Sequence, residues 1–498
     1  MNILTIDLGT TNIKVSVYDR QLSPLVTLSE GVNYHRAGDI VEFDPERYFT
    51  TITAMMTAAA AQARRTNGRD IVQVVLTGQA ESLIVLDGNG LPLRPAISWL
   101  DMRSREECAE LSDIFDAQKS YRITGQPEII PTWPITKILW LKRHEKETFA
   151  RAAHYLLLKD YIILRLSGRI VGDYSIYSFS YYFNITEKRY WPEILDYCGI
   201  HDTQLPALLP PCTIVGPLVP ALVDPACGLT TATKINIGTL DHFAGMIGTG
   251  NIREGIVSES AGTVLSLATL VKEPVFSQGR LPLNCGPFPD SYVLLPVCES
   301  GGFSLEWYKQ TFLPDCSFGD INAAAAQRNS ASIPIFLPYL TGINAPDFNE
   351  HASGVFFGIR ASHTRDDFSL SIMQGVACLL RKNIDYMEQA GIQIEKIISV
   401  GGGARSALWT QIKSDLTQKS VSVPVNEEAA CFGAAIIAAV DEGYVSSYAA
   451  AAEEHIVLKK SFTPAPHEHH EHTYAVFNSL YEALAPVYAL NDKTRRGG

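Results

Sequence analysis

The stretch "IDLGTTNIK" (Ile6–Lys14) crowds a carboxylate, a glycine, two hydroxyls and an amine into one short turn. A nucleoside triphosphate needs backbone N–H donors, hydroxyls and a place for a divalent cation. Asp7, Gly9, Thr10, Thr11 and Lys14 together supply these. No GxxxxGK[ST] element occurs here, so the turn is not a P-loop. A plain hairpin whose Gly and Thr satisfy their own backbone is the other reading. A second Gly-Thr pair, Gly262-Thr263 in "VSESAGTVLSLAT", weighs against it, because two such hairpins can grip a phosphate chain from both sides. "SVGGGARSALW" (Ser399–Trp409) runs from a strand through three glycines into a helix. Glycines there let a flat base or ribose lie against the backbone near a helix N-terminus. A flexible strand-to-helix turn is the alternative. Asp241 in "IGTLDHFAG" is a lone acid in an apolar, Gly-rich segment. Phosphoryl transfer needs a carboxylate to take the acceptor's proton, and Asp241 is a candidate. It is equally a good helix N-cap, and both readings stay open.

These residues need strands and turns to hold them. "ILTIDLG" and "IKVSVYD" read as strands, "YFTTITAMMTAAAAQARRT" as a helix, and "IVQVVLTG" and "ESLIVLD" as strands joined through "GQA". "DGNG" (Asp87–Gly90) is a hairpin turn signal. Helices dominate from about Asp101 to Arg165, and the Pro-rich "LPALLPPCTIVGPLVP" reads as irregular connecting structure. The second half starts over with "VSESAGTVLSLAT". The helix "FSLSIMQGVACLLRKNIDYMEQAG", the strand "KIISVGGG" and the helix "SALWTQIKSDLTQ" follow. The pattern predicts two α/β domains facing across a cleft, residues 1–240 and 241–498, each opening with a Gly-Thr hairpin.

Bulk properties narrow the function. The chain has 498 residues, 46% of them hydrophobic, enough to bury a large core. Its net charge is −12 and no Lys/Arg cluster stands out, so nucleic acid is not an expected partner. No apolar run reaches the roughly 18 residues of a membrane span, and the first residues lack a signal peptide. "AACFGAAIIAAV" reads as a packed helix. Nine Cys without a CxxC pair predict reduced thiols in a cytoplasmic protein. "PHEHHEH" holds four His between His467 and His472; an exposed polar loop is favoured there over a metal site.

The motifs, in order, resemble those of the FGGY carbohydrate kinases, within the actin/hexokinase-type ATPases: "IDLGTTNIK", "GTLDHFAGMIGTG", "SAGTVLSL" and "VGGGARSALW". "TWPITKILWLKRH" and "GVFFGIRASHTRDDFSLSIMQ" resemble the family's two signature segments, with Thr132 departing from the usual first residue of the former. The resemblance spans roughly residues 1 to 445 and is closest to the xylulokinase and gluconokinase branches. It implies an α/β fold of two ribonuclease-H-like domains around an interdomain cleft that takes ATP and Mg²⁺. It implies Asp241 as the base and Asp7 as the Mg²⁺ holder through water. Thr10, Thr11 and Lys14 then lie near the β- and γ-phosphates, with Gly262 and Thr263 as the second phosphate hairpin. Gly302 and Glu306 in "SGGFSLEW" match positions that border the nucleotide. Gly402, Gly403 and Ala407 match the adenosine segment. Family members are often homodimers, although no seam is legible here.

The sugar pocket is where the chain departs from its relatives. The strands "IVQVVLTG" and "ESLIVLD" are expected to form a hairpin, and residues just after its "GQ" contact the sugar in the family; here they are Ala80, Glu81 and Ser82. Xylulokinases usually carry Met-His at the first two places and glycerol kinases Arg-Glu. Ala80 opens space, while Glu81 accepts from sugar hydroxyls and would repel an acid substrate. The other reading of Glu81 is a solvated strand-end carboxylate. Trp99 matches a family tryptophan near the substrate, with a plain core Trp as the alternative. His242 beside the base is a further candidate contact, and Trp133 a candidate cover. The expected activity is transfer of the γ-phosphoryl of ATP to a ketose or polyol, most of all a pentulose such as xylulose. A sugar acid, or glycerol or another polyol, is the alternative acceptor. A non-catalytic sugar sensor would be expected to lose Asp7, Asp241 or a hairpin Gly-Thr, and all are present.

Overall fold

The computed structural model describes residues 1–277, 280–298, 300–426, 428–465 and 468–495. Apolar alternation builds the first hairpin, β1 (Asn2–Leu8) and β2 (Asn12–Tyr18), and β3 (Pro24–Gly31) continues it. Helix α1 (Pro45–Asn67) starts with Asp44 accepting from the Glu46 and Arg47 N–H groups, and Pro45 opens its first turn. β4 (Ile71–Gly78) returns parallel to β1. β5 (Leu83–Leu86) does not pair with β4. It enters a separate five-stranded sheet, so the segment between them is a crossing from one sheet to another and not a hairpin turn. Helices α2 (Pro134–His144), α3 (Leu158–Ser167) and the single turn α4 (Tyr174–Tyr177) follow.

The Pro-rich stretch is more regular than its composition predicts. It contains the strand Ala207–Leu209 and β6 (Ile214–Pro217), which pairs antiparallel with β7 (Lys234–Leu240) as the edge of the first sheet. Proline is tolerated there because an edge strand leaves one row of N–H groups unused. The first sheet runs β6-β7-β4-β1-β2-β3. Helix α5 (Asp241–Thr249) follows β7 directly.

The second half repeats the plan. β8 (Ile256–Ala261) and β9 (Leu265–Val271) form the second hairpin, joined by β10 (Leu283–Cys285) and β11 (Tyr292–Leu294). Helices α6 (Phe303–Phe312) and α7 (Arg365–Gln389) lead to β12 (Lys396–Val400), α8 (Ala407–Thr417) and β13 (Ser420–Pro424). Helix α9 (Ala429–Asp441) and β14 (Leu458–Phe462) follow. The second sheet runs β10-β11-β9-β8-β12-β13-β14, with Val297–Cys298 added to β9. β8 stands to β9 and β12 as β1 stands to β2 and β4, antiparallel and parallel.

The halves are locked by their helices. α5 packs on α9 and on β9, whereas α9 lies on β1 and β4 of the first sheet. The α5–α9 crossing is backbone-close: a Cβ at Gly433 would sit 1.8 Å from the Ala244 carbonyl, and one at Gly248 2.0 Å from that of Ala429. The expected boundary between residues 240 and 241 therefore falls between a first-sheet strand and a helix that touches both halves. No helix among the described residues is long and apolar enough to cross a membrane.

Candidate functional site

The first hairpin sets Asp7 opposite Lys14 in register. Its turn requires glycine, since a Cβ on Gly9 would lie 2.4 Å from the Asn12 carbonyl. Asp7 Oδ1 is shut off from solvent and has no hydrogen-bond partner. The Thr10 hydroxyl accepts from Trp99 Nε1 at 2.9 Å, which ties Trp99 to the first hairpin. Thr11 is exposed.

The second hairpin presents Gly262 and Thr263 at an exposed tip. Two glycines beneath it form its floor: Gly302 N–H donates to the Gly262 carbonyl at 2.6 Å and Gly301 N–H to that of Thr263 at 3.1 Å. A Cβ on Gly302 would fall 2.5 Å from the Gly262 oxygen. The structural task of Gly302 is thus to support the hairpin. Glu306, one turn into α6, is exposed and accepts from Gln310 at 3.2 Å.

Two cavities meet between the hairpins. The larger, about 650 Å³, is lined by Gly401, Gly402, Ala407, Asn426, Lys14 and Glu428. Gly401 has φ +77°, which opens the backbone at this edge. Gly403 is buried outside this cavity, because a Cβ there would meet the Ala261 side chain at 2.7 Å. The smaller cavity, about 310 Å³, is lined by Asp7, Asp241, His242, Ser260, Lys14 and Glu428. Lys14 and Glu428 line both, and their ion pair at 2.5 Å stands in the shared wall. Burial pushes Asp7 up to about 7; Asp241 and Glu428 push the same way and Lys14 opposes them. Burial draws Lys14 down, but Glu428 and Asp7 outweigh it and hold it above its usual value.

Asp241 is the first residue of α5, and Leu240 occupies the N-cap position. No side-chain cap bond forms, so the capping reading gives way: Asp241 Oδ1 accepts only the adjacent His242 N–H, at 2.6 Å. His242 is exposed.

Between β4 and β5, Ala80 is buried and Glu81 holds φ +69°, the turn that carries the chain from one sheet to the other. A left-handed Glu is uncommon and costs of order 1 kcal/mol. Glu81 is not a solvated strand end: its Oε2 is buried without a hydrogen-bond partner. Lys137 of α2 is fully buried nearby, and its Nζ donates to the Ser98 carbonyl at 2.9 Å. Burial pushes the Glu81 carboxyl up and the Lys137 amine down, and each charge opposes the other's shift. Lys137 thereby offsets the negative charge that was expected to exclude an acid substrate. The Ser82 hydroxyl accepts from the Trp99 N–H at 3.1 Å, closing the loop between the two segments. Trp133 is buried at the start of α2, its indole donating to the Glu128 carbonyl at 3.1 Å, and is a core residue rather than a cover.

Sequence reasoning missed Glu428 and Lys137. Glu428 stands immediately before the small-residue run of α9, and an acid at the start of such a helix was the available signal. Lys137 was hidden inside an apparently amphipathic segment. The His-rich run is helical from Glu468 onward, not a loop, and Glu471 there pairs with Arg381 at 2.7 and 2.8 Å. His467 lies outside the described residues. Among the described residues no group of three His, Cys, Asp or Glu side chains forms a metal cage.

Comparison with known proteins bears on the family and the fold. Residues 2–248 match the model of the FGGY family of carbohydrate kinases, N-terminal domain, and residues 260–442 the C-terminal domain. The xylulose kinase of Staphylococcus epidermidis is 30% identical over 492 residues, covering 98% of each chain. The gluconokinase of Bacillus subtilis is 28% identical over 472 residues, covering 91% of this chain and 90% of that one. In fold, the solved xylulose kinase from Rhodospirillum rubrum is similar with a TM-score of 0.92 at 24% identity, covering 98% of this chain and 100% of the other.

Proposed function

Because the chain belongs to the FGGY family of carbohydrate kinases, we propose that it transfers the γ-phosphoryl of ATP to a hydroxyl of a pentulose such as xylulose, with Asp241 as general base. One observation carries the reading. Asp7 and Asp241 share a cavity that adjoins, across the Lys14–Glu428 pair, a glycine-lined cavity suited to a nucleoside. In this account the adenosine lies along Gly402 and Ala407, and the phosphates cross toward Lys14 and the two Gly-Thr turns. Asp241 takes the proton of the sugar hydroxyl as the new O–P bond forms and the bond to the departing ADP oxygen breaks. Glu81 and Trp99 orient the sugar, with His242 at the rim. Nine cysteines without a CxxC pair support action in a reducing compartment, as in cytoplasm.

The orphaned, buried Asp7 Oδ1 fits the water shell of Mg²⁺, an ion that keeps several waters when bound. When bound, the ion neutralises charge on the phosphates. Asp7 must be ionised to hold it, and burial pushes Asp7 up to about 7. Lowering the pH through that value protonates Asp7 and removes its charge. Mg²⁺ affinity of the ADP-bound protein, measured by calorimetry, is therefore expected to weaken from pH 8 to pH 6. The part of that change owed to Asp7 disappears in Asp7→Asn. An equal pH dependence in that variant removes Asp7 from the metal site.

Lys137 favours a second acceptor class, because a cation beside Glu81 removes the electrostatic objection to a sugar acid. ADP release measured across pentuloses, polyols and sugar acids tests both readings. Preferred turnover of a pentulose is expected; preferred turnover of an aldonate moves the assignment to the gluconokinase-like branch.

A further inference from the structure

A buried polar chain runs behind the catalytic cavity, and nothing in phosphoryl transfer as described above uses it. Lys159 Nζ and Asp173 Oδ2 lie 2.5 Å apart, both fully buried. Asp173 Oδ1 accepts the N–H of Ser175 at 2.9 Å and that of Ile176 at 3.4 Å, and also the Ser175 hydroxyl. Having donated its proton there, Ser175 Oγ turns its lone pairs to β7. It accepts from the Leu240 N–H at 3.1 Å and from the Thr239 hydroxyl at 3.0 Å. The Thr239 carbonyl accepts from the Thr77 hydroxyl at 2.9 Å, and Thr77 is the β4 residue in register with Asp7. Lys159, Asp173, Ser175, Thr239 and Thr77 are all 0% exposed.

Burying an ion pair stabilises a fold no better than apolar side chains of similar volume. A charged pair placed here is better explained by what it orients. Leu240 is the N-cap of α5 and has no polar side chain, so the helix lacks a side-chain cap. The bond from Ser175 to the Leu240 N–H anchors the backbone one residue before Asp241. Lys159 supplies the counter-charge to Asp173, although neither Lys159 Nζ nor Asp173 Oδ2 has a hydrogen-bond partner; Asp173 Oδ1 fixes the direction of the Ser175 hydroxyl, and Ser175 fixes the peptide that aims Asp241.

We propose that Ser175, oriented by Asp173 with Lys159 as the counter-charge, is a positioning residue for Asp241; the proposal rests on the reading of Asp241 as the base. Misplacing a reacting group by about 1 Å costs up to about 100-fold in rate. Ser175→Ala is expected to lower kcat about tenfold or more, with KM for ATP and for sugar within about twofold of wild type. The decisive readout is a double-mutant cycle. In an Asp241→Asn background, Ser175→Ala is expected to change the residual kcat by less than about twofold, because there is no base left to aim. An unchanged kcat in Ser175→Ala, or an equal fall in both backgrounds, overturns the proposal. Should Ser175→Ala fail to fold, Ser175→Cys keeps the volume with a weak donor and acceptor, and unaltered kcat in that variant overturns it as well. Wild-type turnover in Asp241→Asn alone removes the base reading itself. Loss of turnover there, with normal Ser175→Ala, leaves that reading standing and removes only the positioning role.

Discussion

Asp241→Asn is expected to lower kcat by about 10²–10⁴-fold while ATP and sugar still bind, the range that general base catalysis contributes. The substitution is isosteric, and only one carboxylate oxygen is engaged, by the His242 N–H. Asn keeps that acceptor, so α5 and its crossing with α9 are expected to stand. What is lost is the proton acceptor facing the smaller cavity. A kcat within tenfold of wild type would mean that the hydroxyl proton leaves by another route.

The second large effect is expected at Glu81. Glu81→Gln removes a charge without removing volume. Hydrogen bonds to charged groups are worth about 1.5–3 kcal/mol, so the sugar KM is expected to rise about 10- to 100-fold with the ATP KM unchanged. The variant also leaves Lys137 buried without its counter-charge, which costs about 3–5 kcal/mol in comparable pairs. Stability and binding must therefore be separated. Glu81→Gln combined with Lys137→Met is expected to recover the lost thermal stability but not the sugar KM. A double variant that binds sugar normally would assign Glu81 to folding alone.

Much of the scaffold was legible because it rests on short-range patterns. Alternating apolar residues on either side of Gly9 and Gly262 identified both hairpins, and the repeated order of strands indicated two related halves. The crossing of α5 and α9 was not legible. It depends on Gly248 and Gly433 meeting across the molecule, and a glycine inside a helix carries no sign of the backbone it will touch. The step from β4 to β5 was misjudged for a similar reason. Two adjacent strand patterns look like a hairpin, and only the left-handed turn at Glu81 sends the second into another sheet.

The site divides along the same line. Asp7, Lys14 and Asp241 stand in motifs whose residue types state their chemistry. Glu428 and Lys137 act through partners distant in sequence, Lys14 and Glu81, so their roles become visible only in three dimensions. Thr132 and Glu81 also meet here, since the Thr132 side chain opposes the upward shift of the Glu81 carboxyl.

On the proposed mechanism, a cleft holding Asp7, Lys14 and Asp241 hands a phosphoryl group from ATP to a sugar hydroxyl. This transfer is tested most directly by following both products of one reaction by phosphorus NMR, with xylulose, ATP and Mg²⁺. One sugar phosphate ester is expected for each ADP formed. ADP accompanied by inorganic phosphate, with no ester on xylulose, on any other pentulose or on a sugar acid, would contradict it.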